Sequence, residues 1–99
     1  MVLDAVDRGN LERSIDSLIK EIPGLVSQFR NQDVKKYFQY KDENDVVFGM
    51  ILGGIIEKFG FYYNVTHNTS ASLPETSVEI MDVITRRASE IRDAIFKCG

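Results

Sequence analysis

Cysteine is nearly absent from this chain of 99 residues, and Cys98 is its single example. One cysteine excludes a disulfide within the chain, which favours a reducing compartment. No secretory signal pattern is present, because Asp4 and Asp7 interrupt the only short apolar run near the N-terminus. We therefore expect a cytoplasmic protein in which Cys98 is a small apolar residue at the end of the last helix.

Basic residues are also few, since 12 lysines and arginines face 15 aspartates and glutamates, and the formal charge is −3. Such a balance gives no general attraction to phosphate backbones and disfavours nucleic acid as a partner. Residues 35–41 do combine lysines with aromatics, the composition of a single-strand-binding site. On a helix, however, we expect Tyr37 and Phe38 to point inward while the lysines are solvated.

The chain is short but rich in hydrophobic residues. Ninety-nine residues allow one domain, residues 1–99, and folding at this size buries only somewhat more than ~60% of the surface that the unfolded chain exposes. Hydrophobic residues make up 43% of the sequence. A hydrophobic surplus in a small domain favours a homo-oligomer.

Residues 45–64 are rich in large apolar residues and hold four of the seven glycines. At 100° per residue, apolar residues spaced by 4, 3, 4 and 4 fall on one side of a helix and are expected in the core. A second stripe, about a quarter turn away, holds three glycines. Because each glycine destabilises a helix by about 1 kcal/mol relative to alanine, we expect something to pack close to the backbone there. The core stripe is Phe48, Leu52, Ile55, Phe59 and Tyr63, and the glycine stripe is Gly49, Gly53, Ile56 and Gly60.

Two other structures are compatible with residues 45–64. A β-hairpin that turns at Gly53 and Gly54 suits the β-branched and aromatic content, but a two-stranded hairpin is marginal without further strands. A membrane span needs about 20 apolar residues, whereas only eleven apolar or glycine residues precede Glu57 and Lys58. The sequence therefore favours a helix in the core or at an interface, and no membrane.

The remaining segments also predict helices. An amphipathic helix is expected from the N-cap Asn10 to Ile22, where Pro23 and Gly24 end or kink it, and a short helix is expected from Asp33. Residues 65–71 are the clearest loop, and residues 72–97 show capping-box patterns followed by apolar spacings of 3, 4, 3 and 4. The predicted fold is all-α, a small helical bundle of three longer helices plus one or two short ones.

Two groups of residues could carry chemistry. Carboxylates on the last helix, together with Glu57, could hold Mg²⁺ as in an all-α nucleotide hydrolase. The central helix lacks the second acid of a Glu-x-x-Glu pair, so a solvated polar face is the simpler interpretation. His67 could act as a general base, but spacing ties no nucleophile to it. We predict no catalytic residue, metal ligand or cofactor, and whether the protein is an enzyme stays open. The acids in question on the last helix form two i, i+3 pairs, Glu79 with Asp82 and Glu90 with Asp93.

The glycine stripe and its aromatic neighbours predict a docking surface, because glycine permits close approach and aromatics are enriched at interfaces. The sequence leaves open whether this surface is covered within the chain or between chains. We expect a protein–protein association module, either a homodimer or a small subunit on a larger partner, with a small metal-dependent nucleotide hydrolase as the alternative. The predicted interface residues are Gly49, Gly53, Ile56, Gly60, Tyr62 and Tyr63.

Overall fold

A computed structural model describes residues 3–71 and 74–98 of the chain. These residues form five α-helices and no strand, which confirms the predicted all-α fold. Residues 45–64 lie within one uninterrupted helix, so the hairpin alternative is wrong. The helices are α1 (Ala5–Phe29), α2 (Gln32–Phe38), α3 (Glu43–His67), α4 (Pro74–Arg86) and α5 (Ala88–Lys97).

The first helix, α1, begins six residues earlier than the sequence predicts. Asp4 is its N-cap, and its side chain accepts a hydrogen bond from the Asp7 amide at 2.8 Å while the Asp7 carboxylate accepts one from the Asp4 amide at 3.3 Å. This reciprocal capping box satisfies two amides of the first turn, so the helix passes straight through Asn10. Pro23 lies inside the helix and does not end it.

The central helix, α3, buries a row of every fourth residue against α1 and α5. Ile55, Phe59 and Tyr63 are buried as predicted, but Phe48 and Leu52 are only half-buried. A row of spacing four winds around a helix, as it does where two helices cross at an angle. At the start of α3 the buried residues are therefore Val47 and Ile51, each one position before the predicted Phe48 and Leu52. The buried row is Val47, Ile51, Ile55, Phe59 and Tyr63.

A close contact between α1 and α3 occurs at Gly54, outside the predicted glycine stripe. A Cβ added at Gly54 would lie 2.7 Å from Leu18 Cδ1. At Gly49, Gly53 and Gly60 an added Cβ would have no heavy atom of another helix within 4 Å. Within the described residues nothing packs closely on the glycine stripe, because Leu18 meets the neighbouring Gly54 instead.

The predicted last helix is two helices, because the backbone breaks at Arg87. The Arg87 guanidinium donates hydrogen bonds to Glu12 at 3.1 Å and Asp16 at 2.6 Å on α1, and to Glu90 at 2.9 Å on α5. The hydrogen bond to Glu90, and those to Asp16 and Glu12, raise the pKa of Arg87 although burial opposes them. Arg87 thus connects the joint between α4 and α5 to the surface of α1.

Leucine substitutions at the two adjacent glycines should have opposite effects on stability. Gly54→Leu should lower the free energy of unfolding by about 1–3 kcal/mol, because the new side chain overlaps Leu18. Gly53→Leu should not lower that of the monomer, because space is free there and leucine favours a helix over glycine. Urea denaturation of both variants in dilute solution measures the difference. An equal loss of stability in the two variants would contradict Gly54 as the contact point.

Candidate functional site

The side of α3 that faces away from α1 and α5 is largely apolar and largely exposed. No charged side chain occurs between Val46 and Ile56, but the exposed Glu57 lies on this side, four residues after Gly53 and three before Gly60. Met50 and Ile56 keep 50% and 44% of their surface exposed, and Phe61 at the border keeps 75%. We call this surface the outward face of α3, and it consists of Gly49, Met50, Gly53, Ile56, Gly60 and Phe61.

Four of the six predicted interface residues lie on this face and two do not. Gly49, Gly53 and Ile56 are exposed and Gly60 is half-buried. Tyr63 is buried in the core, with its ring 4.3 Å from the His67 ring. Tyr62 is half-buried and donates a hydrogen bond to Asp7 at 3.1 Å. The structure therefore brings the glycine stripe together with Met50 and Phe61, and places the two tyrosines on the inner side of α3.

A groove between α3 and α4 adjoins the outward face. Its volume is about 480 Å³, within the range of ligand-binding clefts. Ile56 and Gly60 belong to both the groove and the outward face, and α4 contributes Ile80 and Met81. The exposed apolar surface therefore extends from α3 into the groove between α3 and α4.

Asp7 and His67 form a pair that joins the start of α1 to the end of α3. The His67 Nε2 atom lies 2.9 Å and 3.0 Å from the two carboxylate oxygens of Asp7. The Asp7 side chain is 2% exposed and that of His67 is 32% exposed. His67 was predicted in a loop, but it is the last residue of α3, and the pair was missed because 60 residues separate its members.

The charge of Asp7 is stabilised by its neighbours. Burial raises the pKa of Asp7, but hydrogen bonds from His67, the Asp4 amide and Tyr62 outweigh burial and leave the pKa below its ordinary value. Burial, followed by the hydrogen bond to the Asp7 carboxylate, raises the pKa of Tyr62. All three partners therefore favour an anionic Asp7 in the folded protein.

An imidazole oriented by a carboxylate occurs as the base of a catalytic triad and as a metal ligand, but a triad also requires a nucleophile and a metal site requires further ligands. The ranges 3–71 and 74–98 contain no cluster of three or more His, Cys, Asp or Glu side chains placed to hold a metal. Of the acids predicted on the last helix, Glu79 pairs with Arg8, Asp82 with Arg86 and Glu90 with Arg87. The Asp7–His67 pair acts in this structure as a tie between two helix ends.

The basic and aromatic residues 35–41 are not arranged as the sequence predicts. Tyr37 and Phe38 are exposed, because the short α2 turns Val34 toward the core and Phe38 only touches the edge of Phe29 at a ring distance of 6.1 Å. The expectation that both aromatics point inward is wrong. Residues 30–45 hold four basic and four acidic side chains, so the segment has no excess of positive charge for phosphates.

By length and composition α3 is the one helix among the described residues that could cross a membrane. The central helix of a water-soluble bundle has the same properties, so this finding is weak evidence for a span. In this structure α3 packs its buried row against α1 and α5.

Comparisons with protein-family models, with curated proteins and with solved structures found no match to this chain. Function is therefore inferred from the surface and the side chains alone.

Replacing Asp7 should destabilise the protein, and the loss of stability relative to the wild type should be larger at neutral pH than in acid. Asp7→Asn should lower the free energy of unfolding by about 1–3 kcal/mol at pH 7, because buried hydrogen bonds to a carboxylate are lost. Since the folded-state pKa of Asp7 is lowered, its contribution is complete above about pH 4 and is lost as pH falls through the folded-state value.

Urea denaturation of Asp7→Asn and wild type at pH 7 and pH 3 measures this effect. The difference between the two proteins in free energy of unfolding should be smaller at pH 3 than at pH 7. Glu21→Gln, at an exposed position of the same helix, is the control and should stay within about 0.5 kcal/mol of wild type. A larger difference in free energy of unfolding at pH 3 than at pH 7 would show that Asp7 is not stabilised as an anion.

Proposed function

We propose that this protein is a protein–protein association module that binds its partner through the outward face of α3. The observation that carries the proposal is that this face is largely apolar, with Glu57 as its charged residue, and is largely exposed among the described residues. Its three glycines have no neighbouring heavy atom within 4 Å of an added Cβ, and three large apolar side chains beside them are exposed. The partner we expect is a protein, in the cytoplasm.

The energetics of a helix surface support this function. A glycine in the exposed part of a helix destabilises it by about 1 kcal/mol relative to alanine, and the outward face carries three. Removing apolar surface from water is favourable by about 25 cal/mol per Å², so covering Met50, Ile56 and Phe61 would stabilise a complex. Small residues at its centre let a partner backbone come close while larger apolar side chains at its edge fill the remaining space.

The alternative function, a small metal-dependent nucleotide hydrolase, has no observation in its favour. It requires carboxylates that converge from two helices. Glu79 and Asp82 of α4 and Glu90 of α5 instead form ion pairs with arginines, and no group of metal-binding side chains occurs in the described ranges.

A photoreactive side chain on the outward face tests the association. Benzoylphenylalanine in place of Met50 should give a cross-linked product with a protein when cells of the source organism are irradiated, because Met50 lies at the edge of the face. The product, separated by gel and identified by mass spectrometry, should diminish when Gly53→Leu is added, since leucine would keep the partner away from the backbone.

The matched control places the same photoreactive residue at Gln28, an exposed position of α1 away from this face. Products of equal yield from positions 50 and 28, or none from position 50, would refute binding through the outward face.

A further inference from the structure

We propose that α4 is a movable helix, which rotates away from α1 and α3 about a pivot at Arg87 and is held closed by a latch at Glu79. The pivot is the joint between α4 and α5, and the latch is a contact between α4 and the start of α1. In the open form Ile80 and Ile84, which are buried in the closed structure, face solvent. The movement is a property of the bundle itself and does not require a partner on the outward face.

The pivot is fixed on one side only. The Arg87 guanidinium is bonded to Glu12 and Asp16 of α1 and to Glu90 of α5, and within the described part of the chain it has no bond to an α4 side chain. The Arg87 backbone, at φ −109° and ψ 8°, lies in the bridge region between helix and strand, and no side chain caps α5 there. The start of α5 is therefore fastened to α1, whereas α4 is joined to this point by the chain itself and by the hydrogen bond from the Arg87 amide to the Ile84 carbonyl at 3.0 Å.

The latch is the Glu79 carboxylate, eight residues before the pivot. It accepts a hydrogen bond from the Leu3 amide at 2.7 Å and one from the Arg8 guanidinium at 3.2 Å. Hydrogen bonds to a charged group are stronger than those between neutral groups, and the Glu79 side chain is only 18% exposed. Eight helical residues span about 12 Å, so latch and pivot hold α4 to α1 at two separate points.

The packing of α4 between these points is incomplete. Its buried row is Thr76, Ile80 and Ile84. The Thr76 hydroxyl oxygen is buried and has no hydrogen-bond partner among the described residues, a state that destabilises the closed form because exposure would return the hydroxyl to water. On its other side α4 is separated from α3 by the groove of about 480 Å³. Opening therefore relieves an unfavourable burial and breaks little packing against α3.

The neighbouring α5 is attached more firmly, although both helices bury two isoleucines. Arg92 of α5 donates a hydrogen bond to Asp45 of α3 at 2.8 Å, and its guanidinium lies 4.0 Å from the ring centre of Phe48. At the end of α5 the Cys98 carbonyl accepts a hydrogen bond from Arg30 of α1 at 2.8 Å. These contacts hold α5 to both long helices along its length, so α4 is the helix that moves.

Opening changes the apolar surface that the bundle presents. Ile80 belongs to the α4 wall of the groove, and Ile56 and Gly60 of the outward face belong to its α3 wall. When α4 rotates away, the exposed apolar surface extends from this groove to Ile80, Ile84 and the core residues beneath them. The Glu79 latch thereby controls how much apolar surface is accessible beside the outward face.

Hydrogen exchange of backbone amides in the native protein, followed by NMR, tests the movement. Under conditions where closing is faster than exchange, amides of residues 80–84 in α4 should exchange at least about tenfold faster than those of residues 55–60 in α3, after correction for intrinsic rates. Their exchange should also depend less steeply on urea, because opening one helix exposes less surface than unfolding the bundle. Equal rates and equal urea dependence in the two helices would overturn the movement.

A core variant distinguishes separate opening of α4 from unfolding of the whole bundle. Ile51→Val, in the buried row of α3, should raise exchange in α3 about two- to tenfold through its loss of packing, and should leave exchange in α4 unchanged, because Ile51 stays packed when α4 opens. An equal rise in both helices would show that α4 opens only by global unfolding.

Two further variants test the latch and the packing of α4. Glu79→Gln should raise exchange in α4 about tenfold, because charge-assisted hydrogen bonds are lost, whereas Asp82→Asn, which removes an exposed charge from the same helix, should change it less than about threefold. Thr76→Val should slow exchange in α4 about fivefold or more, and Thr85→Val, at an exposed position, is its matched control. Unchanged exchange in Glu79→Gln would overturn the latch, and unchanged exchange in Thr76→Val would overturn the role of its buried hydroxyl.

Discussion

The contact between α1 and α3 at Leu18 and Gly54 decides how the rest of the bundle is arranged. The absence of a side chain at Gly54 lets Leu18 approach α3 closely, and this fixes which row of α3 is buried. With that row turned toward α1 and α5, the opposite side of α3 can only face outward. The uncovered glycines and the exposed Met50 and Phe61 are therefore a consequence of the core packing as well as a candidate binding surface.

Much of this fold could be predicted from apolar spacing, and the failures have physical causes. The single helix through residues 45–64 followed from its periodicity, but Val47 and Phe48 are both apolar, so spacing alone could not decide which one is buried. Arg92 of α5 lies 4.0 Å from the ring centre of Phe48, a contact across 44 residues that only the folded chain provides. No proline or glycine in the sequence marks the break at Arg87, and the break depends on carboxylates of α1.

The candidate site could be predicted only in part, because some of its features are local in the sequence and others depend on distant segments. The glycine stripe could be recognised because its members share one side of a helix, which is a local property of the sequence. Which glycine meets Leu18, and the pairing of Asp7 with His67, depend on contacts between distant segments. Tyr62 and Tyr63 were assigned to the interface for their aromatic character, whereas their position on the helix turns them toward Asp7 and the core.

The Asp7 carboxylate has two structural roles, because it caps the first turn of α1 and also holds the last residue of α3. If the first turn of α1 unwinds, Asp7 moves and His67 loses its anchor. Fraying at one helix end therefore weakens the other, although the two ends are 60 residues apart in the chain. Amide protons in both turns should accordingly exchange with solvent through a shared opening event, with similar protection factors.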